Sequence, residues 1–226
     1  MDHMATKETK QVLQNRTKKI TAILHKTYPD PKVALDFSSP LQLLIATILS
    51  AQCTDVRVNK VTPGLFRKYR SAKDFADAKQ EDLEQDIRST GFYHNKAKSI
   101  ISCCKSIVEK HKGKVPETME ELVELGGVGR KTANCVLGGA FGINSGVVVD
   151  THVRRVSQRL ALSANDDPEK IELDLMQLVP QSEWYAFGNM LVWHGRKICD
   201  ARKPNCLECP LQNLCPSADE FLKSKR

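Results

Sequence analysis

The stretch Leu125-Gly126-Gly127-Val128-Gly129-Arg130-Lys131-Thr132-Ala133-Asn134 lies between two helical patterns. Glycine lets backbone amides approach an anion closely, and the N-terminus of the following helix adds a favourable dipole. The pattern therefore describes a sequence-independent phosphate clamp, with an ordinary helix–helix turn as the plainer alternative. It is not a Walker loop, because the spacing differs and no parallel-sheet pattern precedes it. Lys131 falls about one turn into the second helix. An unperturbed lysine has a pKa of about 10.4, so at neutral pH roughly one in a thousand or fewer is uncharged. Partial burial beside a positive helix end favours the free amine, a nucleophile; a solvated lysine paired with phosphate is the plainer reading.

Outward from this turn the punctuation stays helical. Gln11 to His25 carries apolar residues at helical spacing (Val12, Ile20, Ile23, Leu24) on a lysine-rich background, and Pro29-Asp30-Pro31 ends it. Ser39-Pro40 supplies a cap and a first-turn proline for an apolar helix running to Ser50. Thr54 is placed to cap a helix toward Tyr69, and Ser71-x-x-Asp74 and Thr118-x-x-Glu121 have the form of capping boxes. Asn95 to Lys110 is amphipathic, and Pro168-Glu169 and Ser182 open two more helices. Val147-Val148-Val149 is a lone β-branched run, too short for a sheet. These features predict an all-α protein of about ten short helices.

The 226 residues are 41% hydrophobic and 27% charged, which suits one large globular domain or two small ones and excludes a disordered chain. The mean hydropathy of −0.38 agrees. No stretch approaches the roughly 18–20 apolar residues of a membrane span, and Met1-Asp2-His3-Met4 lacks the apolar core of a secretory leader. The expectation is an intracellular protein, in cytoplasm or nucleoid if the source is prokaryotic, neither secreted nor at a membrane. A net charge of +7 favours a polyanionic partner such as nucleic acid, a generic basic surface being an equal alternative.

Of eight cysteines, Cys53, Cys103, Cys104 and Cys135 sit in apolar helical patterns and read as small buried side chains. The other four form Cys199-x6-Cys206-x2-Cys209-x5-Cys215. Thiolates bind soft metal centres, and Cys206-x2-Cys209 puts two of them on one tight turn. Zinc ribbons usually contribute two such pairs. One pair with two outlying ligands leans toward a 4Fe–4S cluster, a structural zinc knot being the alternative. Arg196, Lys197, Arg202 and Lys203 crowd the first loop in greater number than one anionic cluster requires, and suit phosphate.

Asp150 stands where the valine run ends and a helix begins. It needs no function beyond an N-cap. If it also faces Lys131, a carboxylate opposes release of the amine. Its better use is then to stabilise positive charge developing on a sugar carbon as a base leaves.

Together these pieces resemble the endonuclease III family of DNA glycosylases, within the helix–hairpin–helix glycosylase superfamily. The carriers are Leu49-Ser50-Ala51-Gln52-Cys53-Thr54-Asp55, Gly91-Phe92-Tyr93, Leu125 to Asn134, Val149 to Arg155 and the four-cysteine tail, spanning about Pro40 to Cys215. The resemblance implies an all-α, two-lobed fold with DNA crossing a cleft between lobes. One six-helix lobe is residues 37–149, with the hairpin at about 118–139. The other joins residues 1–36 to 150–226 and holds a 4Fe–4S cluster in the loop 199–215, on Cys199, Cys206, Cys209 and Cys215. Lys131 matches the family nucleophile and Asp150 its catalytic aspartate. Gln52 matches a residue that enters the space left by a flipped nucleotide, and Phe92 a position that wedges the opposite strand. His152 matches a residue near the DNA. Thr54, Asp55, Gly127, Gly129, Arg130 and Thr132 complete the implied DNA contacts, with Arg196, Lys197, Arg202 and Lys203. Phe92 replaces a leucine, and Gly126 replaces a proline, which is expected to loosen the turn while preserving the Gly127 and Gly129 amides.

The implied activity is bifunctional. An oxidised pyrimidine is rotated out of duplex DNA, Lys131 displaces it through a Schiff base, and β-elimination cleaves 3′ to the abasic site. The implied partner is double-stranded DNA carrying a damaged pyrimidine or abasic site, bound by a monomer. An adenine-mismatch glycosylase is the nearest alternative, but is expected to lack this lysine and to carry a long recognition domain beyond Cys215. The cysteine tail argues against an oxoguanine glycosylase, and the presence of both Lys131 and Asp150 against a non-catalytic DNA-binding module.

Overall fold

The computed structural model describes residues 8–223; the Met1-Asp2-His3-Met4 stretch lies outside them. In chain order the α-helices are α1 (Lys10–Thr27), α2 (Pro40–Ser50), α3 (Asp55–Lys68), α4 (Ala72–Ala76), α5 (Gln80–Ile87), α6 (Tyr93–His111), α7 (Met119–Val123), α8 (Arg130–Val136), α9 (Thr151–Arg159), α10 (Pro168–Leu178), α11 (Trp184–Lys197) and α12 (Ala218–Lys223). Strands are absent among the described residues, so the protein is all-α. The chain divides into two compact units, Val33–Ser145 and a second made of the segments up to Lys32 and from Gly146 onward.

The Val33–Ser145 unit is built around α2. Ser39 caps it by accepting from the Gln42 amide, Pro40 fills its first turn, and Leu43 through Leu49 are all buried. A helix apolar on every side must be enclosed. Here α3, α6 and α8 pack against it. Helix α6 buries Ile100, Cys103, Cys104 and Ile107 on one face, and α4 and α5 pack against α6. The capping box at Ser71 and Asp74 forms in both directions. At Thr118 only half of it does: the hydroxyl accepts from the Glu121 amide but donates to the Glu121 carboxylate at 2.7 Å. Cys53 departs from the expected burial and is half-exposed, because it lies in the turn after α2 rather than inside it.

In the other unit one core gathers Ile20 and Leu24 of α1, Val153 and Val156 of α9, Ile171 and Leu175 of α10, Phe187, Met190 and Leu191 of α11, and Leu211 of the cysteine tail. Val147 and Val149 join it as non-helical chain, which accounts for the β-branched run without a sheet. Arg16 ties α1 to the end of α9 and to the tail, donating from Nη1 to the carbonyls of Leu160 at 2.6 Å and Leu214 at 3.1 Å.

Candidate functional site

The hairpin runs from α7 through residues 124–129 into α8, which continues as a π-turn over Leu137–Phe141. Gly127 has φ +76°, the left-handed region that favours glycine. A β-carbon there would lie 2.6 Å from Ser99 Cβ, and one on Gly126 would lie 2.6 Å from Ser102 Oγ. The two glycines thus let the turn press onto two serines of α6. Gly126 makes a close joint, not the loosened one expected, because Ser102 occupies the space a side chain would take.

Gly129 is the N-cap of α8 and brings no side-chain oxygen to its first-turn amides. Arg130 and Lys131 follow, both exposed, and Thr132 is half-buried. The partial burial expected of Lys131 is therefore not present: its position in the first turn of α8 puts it on the surface. Lys131 and Asp55 both act electrostatically on the buried Cys135 thiol, which burial pushes above the usual cysteine value.

Two further turns of this unit carry unusual backbone. Gln52 (φ 51°) follows α2 and Phe92 (φ 48°) precedes α6, both left-handed and neither glycine. Both are exposed, Phe92 by 61%. Both line an open pocket together with Asn95, Lys96, Ser99, Gly127 and Thr132. Thr54 caps α3 by accepting from the Arg57 amide, with Asp55 in the first turn. Sequence reasoning missed Asn95, Lys96 and Ser99, which the pattern of α6 assigns to an ordinary amphipathic helix.

In the other unit Asp150 caps α9. Its Oδ1 accepts from the amides of His152 and Val153, each at 2.8 Å, so Oδ2 carries no capping bond. His152 Nδ1 lies 3.1 Å from Arg155 Nη2, and Arg155 donates onward to the carbonyls of Gly195 at 3.0 Å and Cys199 at 3.1 Å. Burial holds the His152 imidazole below the usual histidine pKa, with Arg155 and Arg196 pushing the same way and Asp150 opposing. Arg196 and Lys197 are exposed beside the Trp193 ring, at 6.0 and 5.1 Å from its centre. Asp200 shapes the next loop by accepting from the amides of Arg202 and Lys203, whose side chains are exposed.

Cys199, Cys206, Cys209 and Cys215 all line one small cavity walled by Val156, Leu160, Leu211 and Phe221. None is in a disulfide. Arg159 donates to Cys199 Sγ at 3.2 Å, while Cys215 Sγ donates to the Arg159 carbonyl at 3.4 Å. Burial, opposed by a hydrogen bond from the Leu211 backbone and helped by Cys199, Cys215 and Cys206, pushes the Cys209 thiol up to about 11. Four thiols sharing an apolar cavity suit a soft metal centre. Among the described residues no three His, Cys, Asp or Glu side chains converge on a single-ion site.

Comparison with known proteins bears on both halves. Residues 45–181 match the family model described as HhH-GPD superfamily base excision DNA repair protein, and residues 199–215 match the iron–sulfur binding domain of endonuclease III. The chain is 55% identical to endonuclease III of Synechocystis sp. over 205 residues, covering 91% of this chain and 94% of the relative. It belongs to the endonuclease III family. Among solved structures, a non-covalent endonuclease III–DNA complex is similar at a TM-score of 0.89 and 42% identity, over 93% of this chain and 98% of that one. A trapped endonuclease III–DNA covalent intermediate with an estranged adenine is similar at 0.88 and 42%, over 92% and 98%. As an endonuclease III family member, the protein is a base excision repair enzyme, a DNA glycosylase with AP lyase activity, on the helix–hairpin–helix fold. Its cofactor is a 4Fe–4S cluster in the cysteine loop. No described helix is long and apolar enough to cross a membrane.

Proposed function

We propose that this chain removes oxidised pyrimidines from double-stranded DNA with Lys131 as nucleophile and Asp150 as the carboxylate that stabilises the sugar cation. The observation that carries this reading is the exposed Lys131 in the first turn of α8, two residues after the glycine that caps this helix. Support comes from the related endonuclease III trapped as a covalent intermediate with DNA.

In this reading Lys131 Nζ, as the neutral amine, bonds to the deoxyribose C1′, and the electron pair of the C1′–base bond leaves with the base. Ring opening gives an iminium, which acidifies the C2′ proton. Loss of that proton expels the 3′ phosphate and cleaves the strand. The free Oδ2 edge of Asp150 is assigned to the positive charge developing at C1′. Gln52 and Phe92 fill the duplex as the nucleotide leaves the stack, which offsets a cost of a few kcal/mol. Thr54, Asp55, Gly127, Gly129, Arg130 and Thr132 are assigned to DNA contact in the lobe 37–149. His152, Arg196, Lys197, Arg202 and Lys203 take the same role in the lobe made of 1–36 and 150–226. Cys199, Cys206, Cys209 and Cys215 would hold the cluster, which shapes the basic loop. The working unit is one chain on one duplex, inside the cell.

The test is borohydride trapping on a duplex carrying thymine glycol. A covalent adduct is expected, absent in Lys131→Ala. Asp150→Asn retains an N-cap residue, so helix content and cluster absorbance should hold while adduct formation falls by about tenfold or more. Intact binding with no adduct and no cleavage would instead support a non-catalytic DNA module.

A further inference from the structure

Lys96 stands apart from the other lysines of α6. It is 5% exposed, and its ammonium donates to the carbonyls of Leu49 and Thr90, each at 2.8 Å. Leu49 lies in the last turn of α2, three residues before Gln52. Thr90 ends a short 3-10 turn, Arg88–Thr90, two residues before Phe92. Carbonyls at helix ends lack an amide donor from a following turn, and they carry the negative end of the helix dipole. One buried cation thus serves two such ends at once. The backbone adds a third tie, the Lys96 amide donating to the Phe92 carbonyl at 3.1 Å.

This placement is costly. Burial holds the ammonium below the usual lysine pKa, with the nearby Cys53 opposing. A surface phosphate contact does not explain a side chain so deeply enclosed, and α6 has ample apolar residues for packing. What the ammonium accomplishes is geometric. It fixes the approach of two turns, one after α2 and one before α6, each of which presents an exposed left-handed residue to the same pocket that Lys96 lines.

We propose that Lys96 is a positioning residue for strand separation: by tying the Leu49 and Thr90 carbonyls together it holds Gln52 and Phe92 at the spacing needed to enter the duplex as a pair. The inference rests on the insertion roles assigned to those two residues. It predicts an effect on duplex substrates that is small where no partner strand must be parted.

The experiment measures borohydride-trapping rates of the cluster-loaded protein on an abasic strand, alone and in duplex. Lys96→Met keeps the side-chain length and removes the donors. Its duplex rate is expected to fall by roughly tenfold or more, because small misplacements of acting groups are expensive, while the single-strand rate falls by less than about threefold. Lys96→Arg keeps charge and donors and is expected to recover part of the duplex rate. Where the methionine variant does not fold, K96R carries the comparison, with a duplex loss larger than its single-strand loss. In a Gln52→Ala, Phe92→Ala background, altering Lys96 should change the duplex rate by less than about twofold, since no inserted side chain remains to be held. Equal losses on both substrates, or an undiminished loss in the doubly substituted background, overturn the positioning role. A duplex rate unaffected by Gln52→Ala and Phe92→Ala would show that the insertion roles themselves are wrong, and the positioning role falls with them.

Discussion

Gln52 and Phe92, forty residues apart, both hold left-handed backbone and both line the same pocket of the Val33–Ser145 unit. A residue with a β-carbon loses roughly 1–2 kcal/mol in that conformation. Glycine escapes the penalty, and Gly91 beside Phe92 already has φ 71°. That a glutamine and a phenylalanine are kept there, both exposed, points to what their side chains do outside the fold.

Gln52→Gly is accordingly expected to leave stability unchanged or raise it by about 0.5–1 kcal/mol, because relief of strain offsets the added backbone freedom of the unfolded chain. Duplex lyase activity should fall in the same protein. Thermal melting and strand cleavage measured side by side check the pair of outcomes. A variant less stable than the parent by more than about 1 kcal/mol would mean that the side chain serves the fold.

The glycines of the hairpin make a different prediction. A β-carbon on Gly126 meets Ser102 Oγ at 2.6 Å and Ser102 Cβ at 2.9 Å, so Gly126→Ala overpacks a joint between the turn and α6. A loss of about 1–3 kcal/mol is expected. Adding Ser102→Gly should return part of it, less about 1 kcal/mol for glycine inside a helix. Gly127→Ala should be rescued less well by Ser99→Gly, since its φ of +76° adds a backbone cost that no neighbour can remove. Urea midpoints of the four variants read this out.

Much of this architecture was legible because it is written locally. Ser39-Pro40 and Thr54 cap where their spacing predicts, and the apolar run after Pro40 is the buried axis of its unit. The glycines of the hairpin likewise announce a turn. Lys96 gave no such sign, since a lysine on an amphipathic helix ordinarily points to water, and its two acceptors come from residues 49 and 90. The left-handed turns were equally hidden: asparagine or glycine would have marked them, whereas glutamine and phenylalanine carry no local preference for that backbone. Gly126 misled for the same reason, because the serine that fills its vacant side-chain space lies 24 residues earlier on α6. Long-range packing decided each case, and a single sequence states no long-range neighbours.

Cysteine reactivity should separate the structural thiols from the metal-binding ones. Cys103, Cys104 and Cys135 are buried, with burial pushing the Cys103 thiol up to about 12 and the other two upward as well. A raised pKa leaves less thiolate, and the thiolate is what an alkylating agent attacks. At about pH 8 the native, iron-loaded protein should therefore take iodoacetamide at the half-exposed Cys53 alone. The four tail thiols are protected as long as they hold metal, and loss of the cluster releases the loop and with it the burial that raises Cys209 and Cys215, so stripping the iron should raise labelling from one site to five, with Cys199, Cys206, Cys209 and Cys215 as the added positions. Unfolding in denaturant should expose all eight. Peptide mass spectrometry locates the labels, and iron analysis should give about four irons per chain before stripping. Colourless protein with zinc and the same protection pattern would overturn the cluster; five labels in the iron-loaded protein would show that these thiols do not hold it. Cys53 keeps the measurement honest, for it sits beside Gln52 and should lose its reactivity when duplex DNA is bound, whereas the three buried thiols should be indifferent to DNA and to iron alike.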